Sequence, residues 1–239
     1  MGKGKLYGIG IGSGDPDFIT LKGAKAIKSV DHIFVPRSSE KAESLAETIA
    51  FDFLNDDQKV IELTFPMTND ATVLDENWKK AATQINDKLM RGQDVAFLTL
   101  GDPSLYSTFS YLSKSLKKID KDAVIEVIPG VSSPFACAAA AGVTLAEGRQ
   151  KVAIIPMDDD HEKMARTIDD FDTIVILKIG RHLERLLELV ESKGLEKACI
   201  IIKSVGLPEE IILKDMSEAK HNENLGYFST AIIKKEFDQ

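Results

Sequence analysis

The stretch FLTLGDPSLYST, Phe97 to Thr108, places an acid, a proline, a tyrosine and several hydroxyls directly behind a short apolar run. An apolar run of this length that ends in glycine reads as a buried strand entering a turn. In an open parallel sheet, ligands collect beyond the carboxyl ends of the strands. A strand through Leu100 would deliver Gly101, Asp102 and Tyr106 to that edge, and the run AVIEVIP would bring Gly130, Val131, Ser132 and Ser133 to the same edge. Backbone groups and hydroxyls gathered there can hold a polar cofactor without a metal. Asp102 also suits the plainer role of a turn cap, and Tyr106 equally suits the first turn of a packed helix.

A glycine-rich segment, GIGIGSGDPD, follows the first apolar run. Such a turn can bring backbone N–H groups close to a phosphate. The dinucleotide spacing G-x-G-x-x-G fails, at Ser13 when begun at Gly8 and at Asp15 when begun at Gly10. No GKS or GKT follows, so a phosphate-binding loop of the nucleotide-hydrolase kind is excluded. The glycines also fit a purely architectural use, in tight turns and close strand–helix approach.

The remaining reactive side chains form no catalytic or metal-binding set. His161 opens HEKMA, where a zinc protease would need histidine at Ala165. Cys137 and Cys199 sit in apolar surroundings far apart in sequence, as buried thiols of a reducing compartment do. No residue is assigned as acid, base or nucleophile, and no metal ligand is expected.

Strand and helix patterns alternate around these residues. In the first half, KLYGIGI, HIFVP, KVIELTF, DVAFLTL and AVIEVIP read as strands. Helices are expected over TLKGAKAIKSV with Thr20 as cap, SEKAESLAETIAFDFL, DENWKKAATQINDKLM and TFSYLSKSLKK. This alternation predicts a mostly parallel sheet with helices on its faces. The run from Gly130 to Gln150 marks a domain boundary, giving an N-terminal α/β domain over 1–129 and a C-terminal mixed α/β domain over 130–239. Beyond it, KVAIIP, TIVILK, the run Ala198 to Val205, EEIILK and YFSTAIIKK read as strands, with helices over 160–168 and 182–192. The last strands lack long helices between them, which predicts antiparallel pairs.

With 239 residues, 44% of them hydrophobic and 28% charged, the chain can bury a substantial core. A net charge of -8 disfavours nonspecific binding to nucleic acid or anionic membranes. The first residues lack the apolar stretch of a signal peptide, and no window approaches a membrane span, so a cytoplasmic location is expected.

Three segments together resemble the tetrapyrrole (precorrin) methyltransferases of cobalamin and siroheme synthesis. They are YGIGIGSGDPDFITLKGAKAI from Tyr7, LTLGDPSLYST from Leu98 and PGVSSPFACAAAAG from Pro129. Within that family the resemblance is to the C20 branch, which acts at the precorrin-2 or cobalt-factor II stage. It rests on ESLAETI, LTFPMTND, Trp78 with its following KKAA, GVTLAEG and the terminal GYFSTAIIKK. Ser13 stands where the common glycine pattern has proline.

The resemblance implies a two-domain methyltransferase fold, a homodimer, and S-adenosylmethionine in the interdomain cleft beside a carboxylate-rich tetrapyrrole. It carries cofactor contacts onto Ile9, Gly101, Asp102, Leu105, Ser132 and Ser133, and onto Ile179, Leu207, Ser229 and Thr230 in the second half. The implied reaction is C20 methylation of cobalt-factor II, with metal-free precorrin-2 or another ring position as alternatives. A sulfonium methyl is already activated, so alignment is the main task and no covalent nucleophile is needed. The acidic substrate calls for local cations. Arg37, Lys178, Arg181 and His182 follow apolar strands and are candidates, as is Tyr106 for flanking the ring system. Each cation is equally consistent with an ordinary solvated charge.

Overall fold

A computed structural model describes residues 2–39, 41–68, 70–220, 225–226 and 228–235. The chain divides into two compact units, Met1–Ser132 and Ser133–Gln239, with the division inside the Gly130–Gln150 run.

The first unit contains β1 (Lys5–Gly10), α1 (Leu21–Ser29), β2 (His32–Arg37), α2 (Leu45–Ala50), β3 (Lys59–Thr64), α3 (Ala71–Leu89), β4 (Val95–Thr99), α4 (Thr108–Ile119) and β5 (Val124–Ile128). Its sheet runs β3-β2-β4-β1-β5, with every pairing parallel. Successive residues of a buried strand feed opposite faces. Phe97 accordingly joins Phe34, Ile85 and Leu112 in the core under α3 and α4. Leu98 joins Ile9, Ile27 and Ile49 in the core under α1 and α2. Trp78 stacks between Phe65 and Tyr111, at centroid distances of 4.2 and 5.4 Å, and so ties α3 to α4.

Two helices differ from expectation. The helix expected over SEKAESLAETIAFDFL is α-helical only over Leu45–Ala50, then tightens into a 3-10 turn at Phe51–Phe53. Its buried face is only Ala46, Ile49 and Ala50, and Ser44 donates to the Pro36 carbonyl instead of capping the helix. The helix of Trp78 starts earlier than its charged pattern suggests, because Asp70 caps it by accepting from the N–H groups of Thr72 and Val73. Asn69 of the LTFPMTND motif lies outside the described residues.

The second unit contains α5 (Ser133–Ala141), β6 (Val152–Pro156), α6 (His161–Asp170), β7 (Thr173–Leu177), α7 (Leu183–Ser192), β8 (Cys199–Lys203), β9 (Ile211–Leu213), α8 (Met216–Lys220) and β10 (Ser229–Lys234). Its sheet order is β6-β7-β10-β8-β9; only β6 and β7 are parallel, and the other pairings are antiparallel. This is the mixed sheet that the helix-poor C-terminal pattern predicts. Strand β10 is central and buried along its whole length. Tyr227 of the expected strand YFSTAIIKK lies outside the described residues. Cys137 and Cys199 are free and buried, and burial pushes each thiol up to about 12, far from reactivity at neutral pH. No helix among the described residues is long and apolar enough to cross a membrane.

His32 opens β2 and is only 5% exposed. Burial lowers its pKa below the ordinary 6.5, reinforced by Lys88 and Lys59 and opposed by Gln93 and Asp31. The unfolded chain therefore takes up this proton at a higher pH than the folded one. Its contribution to stability is complete above about pH 6.5 and is lost as the pH falls toward the folded value. Denaturant midpoints measured at about pH 7.5 and about pH 5 should diverge less in His32→Gln than in the parent. Equal divergence would remove His32 from the account.

Candidate functional site

Strand β4 ends at Thr99, and the GDP turn follows at the carboxyl edge of the first sheet. Gly101 has φ +66°, and its N–H donates to the Gly12 carbonyl at 2.7 Å. The Gly12 N–H returns the bond at 3.3 Å, so the segments following β1 and β4 are bridged. A Cβ on Gly10 would lie 2.6 Å from both Gly101 O and Gly130 N. A Cβ on Gly130 would lie 2.3 Å from Gly101 O and 2.6 Å from the Gly10 carbonyl carbon. The ends of β1, β4 and β5 thus meet main chain on main chain, a packing open only to glycine.

Asp102 secures this node. One carboxylate oxygen accepts from the N–H and the hydroxyl of Ser104, at 2.8 and 2.5 Å. The other accepts from the Gly130 N–H at 3.1 Å. The side chain is the turn cap and also a clasp between the segments following β4 and β5. The next anchor is Ser107, whose hydroxyl meets Thr99 Oγ1 at 2.9 Å and caps α4 by accepting from the Phe109 N–H. Between these anchors sits Tyr106, with φ +49° and 49% exposure. It precedes the helix cap, so the first-turn placement is corrected. A left-handed conformation is costly for an aromatic residue and persists only where its surroundings enforce it.

The other first-sheet candidates divide by exposure. Ile9 is fully buried in the centre of the sheet, paired on both sides, so its side chain belongs to the core. Leu105 is half-buried and follows the turn, its N–H donating to the Asp102 carbonyl. Ser132 is buried at the end of this unit, and Ser133 begins α5 in the next. Arg37 does end β2 at the sheet edge, but its guanidinium reaches Glu62 at 2.5 Å and Thr64 Oγ1 at 3.0 Å. Glu43, Glu47, Asp52 and Glu62 line the adjacent hollow. Arg37 is thus an ion-paired cation in an acidic setting rather than a lone one.

In the second unit, the antiparallel course of β10 brings its first residues to the carboxyl ends of β7 and β8. Thr230 pairs with Leu177 and Ser229 with Lys203. The residues that follow those two strands, Lys178 and Ser204, both take left-handed φ values, +60° and +51°. The Ser204 N–H donates to the Phe228 carbonyl, and its own carbonyl accepts from Leu207. Ser229 is 1% exposed, and its hydroxyl has no hydrogen-bond partner among the described residues. Thr230 is buried beside the Cys137 thiol. Ile179 is fully buried in the core, which leaves only its main chain for any ligand. Arg181 and His182 continue the 3-10 turn that leads into α7.

Sequence reasoning missed Asp159 and Arg185. Asp159 lies 3.2 Å from His182 Nδ1 and also pairs with Arg185. Arg181 lies in the 3-10 turn and Arg185 in α7, and no local pattern places Asp159 beside them. Among the described residues, no group of three His, Cys, Asp or Glu could hold a metal ion.

The family profile of the Tetrapyrrole (Corrin/Porphyrin) Methylases matches residues 5–219. The chain belongs to this family. It is a methyltransferase. A probable cobalt-precorrin-2 C(20)-methyltransferase of Methanocaldococcus jannaschii is 37% identical, over 97% of this chain and 96% of its own. The cobalt-precorrin-2 C(20)-methyltransferase of Salmonella typhimurium is 31% identical, over 98% of both chains. Among solved structures, a cobalt precorrin-4 methyltransferase shares the fold with TM-score 0.75 and 22% identity, over 96% of this chain and 94% of that one. A uroporphyrin-III C-methyltransferase from Thermus thermophilus, solved with S-adenosylhomocysteine, shares it with TM-score 0.68 and 17% identity, over 97% and 98%.

Proposed function

We propose that this tetrapyrrole methyltransferase transfers a methyl group from S-adenosylmethionine to the C20 meso carbon of cobalt-factor II, in cytoplasmic cobalamin synthesis. The observation that carries the reading is near-full-length similarity, at 37% and 31% identity, to relatives named for cobalt-precorrin-2 and C20. A 26% identical relative is named for precorrin-2 alone, so the metal-free substrate is the second reading. Assembly as a homodimer is part of the same proposal and is checked by sedimentation velocity.

The side chains present fit such a donor. When bound, S-adenosylmethionine supplies a methyl group already activated on a sulfonium. The Gly10–Gly101–Gly130 node presents main chain rather than side chains at the first sheet edge, and Asp102 holds its segments in register. Ser229 contributes a buried hydroxyl with no described partner, able to donate to or accept from a polar ligand atom. Leu105, Ser132 and Ser133 complete the proposed donor contacts. Leu207 and Thr230, with the Ile179 main chain, are proposed on the second unit. Lys178, Arg181 and His182 are proposed to face substrate carboxylates, and Tyr106 to flank the ring system. None of these groups acts as a nucleophile; they align, orient and exclude water.

Ser229→Ala carries a two-part expectation. Removing a buried hydroxyl that lacks a partner should leave the ligand-free melting temperature unchanged or raised, because an unmade hydrogen bond costs about 1–3 kcal/mol. Calorimetric titration should show S-adenosylmethionine binding weakened by about three- to tenfold, the loss of a hydrogen bond worth about 1 kcal/mol. Unchanged affinity would exclude Ser229 from the donor site. The overall reading is tested by methylation assays on cobalt-factor II and precorrin-2 side by side, with the methyl position read by NMR. Transfer to any carbon other than C20 would overturn it.

A further inference from the structure

A second feature of the second unit lies beside the parallel pair β6 and β7. The segments leaving the carboxyl ends of these adjacent strands, with Leu225, line an open cleft of about 620 Å³. Asp159 comes from the segment after β6, and Arg181, His182 and Arg185 come from the turn after β7 and the first residues of α7. In open parallel sheets ligands collect outside the carboxyl ends of the strands, and β6–β7 is the parallel pair of this mixed sheet. The start of α7 adds to the positive character, since its cap position, His182, makes no side-chain capping bond.

Two acids line the cleft, Asp159 and Glu184, and Asp159 is the one paired with its basic side chains. Asp159 contacts both His182 and Arg185, and Leu183 and Glu184 complete that wall. Arg185 is 55% exposed, so its pair with Asp159 is open to water and easily exchanged. We infer that this cleft is the seat of a peripheral carboxylate of the tetrapyrrole, with Asp159 as a built-in competitor that occupies the cations until substrate displaces it. An incoming carboxylate reproduces the contacts of Asp159 on Arg185 and adds Arg181, whose planar guanidinium suits paired bonds to a carboxylate. Arg185 is then a binding residue and Asp159 a negative regulator of affinity. The inference rests on the tetrapyrrole reading above, and it predicts opposite signs for two neighbouring substitutions.

The test is fluorescence-quenching titration with cobalt-factor II, and with uroporphyrin as an independent carboxylate-rich probe, at low and high salt. Asp159→Asn should tighten both ligands by about three- to fivefold at low salt, the scale of an exposed ion pair, with the gain shrinking at high salt. Arg185→Gln should weaken both by a similar factor, and the substrate concentration that half-saturates single-turnover methyl transfer should rise in parallel. Circular dichroism melts establish that each variant is folded. Weaker or unchanged binding by folded Asp159→Asn overturns the inference, as does parent-like affinity in folded Arg185→Gln. If the parent binds the probes but methylates neither substrate at C20, the functional reading fails while the titrations still decide the cleft.

Discussion

Gly130→Ala is expected to destabilise the first unit by about 3 kcal/mol and to abolish measurable S-adenosylmethionine binding. The added Cβ would stand 2.3 Å from the Gly101 carbonyl oxygen and 2.6 Å from the Gly10 carbonyl carbon. Real Cβ atoms do not approach other heavy atoms so closely, so main chain must move. Those atoms belong to segments already tied into the sheet and its Gly12–Gly101 bridge, and no flexible side-chain tip can swing away. Overpacking in ordinary cores costs about 1–3 kcal/mol, and a clash with fixed backbone belongs at the upper end. Gly226→Ala is the control, because no described residue comes within 4 Å of the added atom there. Urea unfolding and calorimetric titration read both quantities. Parent-like stability for Gly130→Ala would show that the three strand ends do not meet as described.

Asp102→Ala is the second large effect, and its cause is the turn rather than the ligand. The substitution removes the acceptor for three donors, two on Ser104 and one at the Gly130 N–H. Hydrogen bonds to a charged group contribute about 1.5–3 kcal/mol each when sheltered. This partly exposed set is not additive, which places the net loss near 2 kcal/mol. Methyl transfer should fall by at least about tenfold as Gly130 loses its register with the GDP turn. Asp102→Asn keeps an acceptor oxygen and should recover part of both losses. The decisive comparison is stability against cofactor affinity across the two variants. An alanine variant as stable as the parent but unable to bind S-adenosylmethionine would assign the carboxylate to the ligand instead of the turn.

The strand and helix order was legible because each buried strand here is a nearly continuous apolar run and helices α1, α3, α4 and α6 carry their own side-chain caps. Thr20 shows this directly, since its hydroxyl accepts from the Gly23 N–H as the cap pattern predicts. The GDP and PGVSS segments were recognisable as strand exits for the same local reason, and so was the mixed sheet, because the last strands lack long helices between them. Arg37 was not legible. It reads as a lone charge at the end of HIFVP, yet its partners Glu62 and Thr64 lie on the neighbouring strand, and only register brings them together.

By itself, the sequence determined most of the strands and long helices and the family, because periodicity, capping and motif spacing are local properties. Tertiary structure alone decided which glycines are indispensable and what Asp102 holds. Gly10, Gly101 and Gly130 come from three different strand exits, and they matter because parallel pairing stacks those exits against one another. The same holds in the second unit. Strand β10, last in the chain, enters the middle of its sheet and carries the Ser229 hydroxyl to the ends of β7 and β8, while the segment after β6 sets Asp159 against Arg185. Such contacts join residues far apart in the chain, and their energies depend on distance in space, which no local pattern encodes.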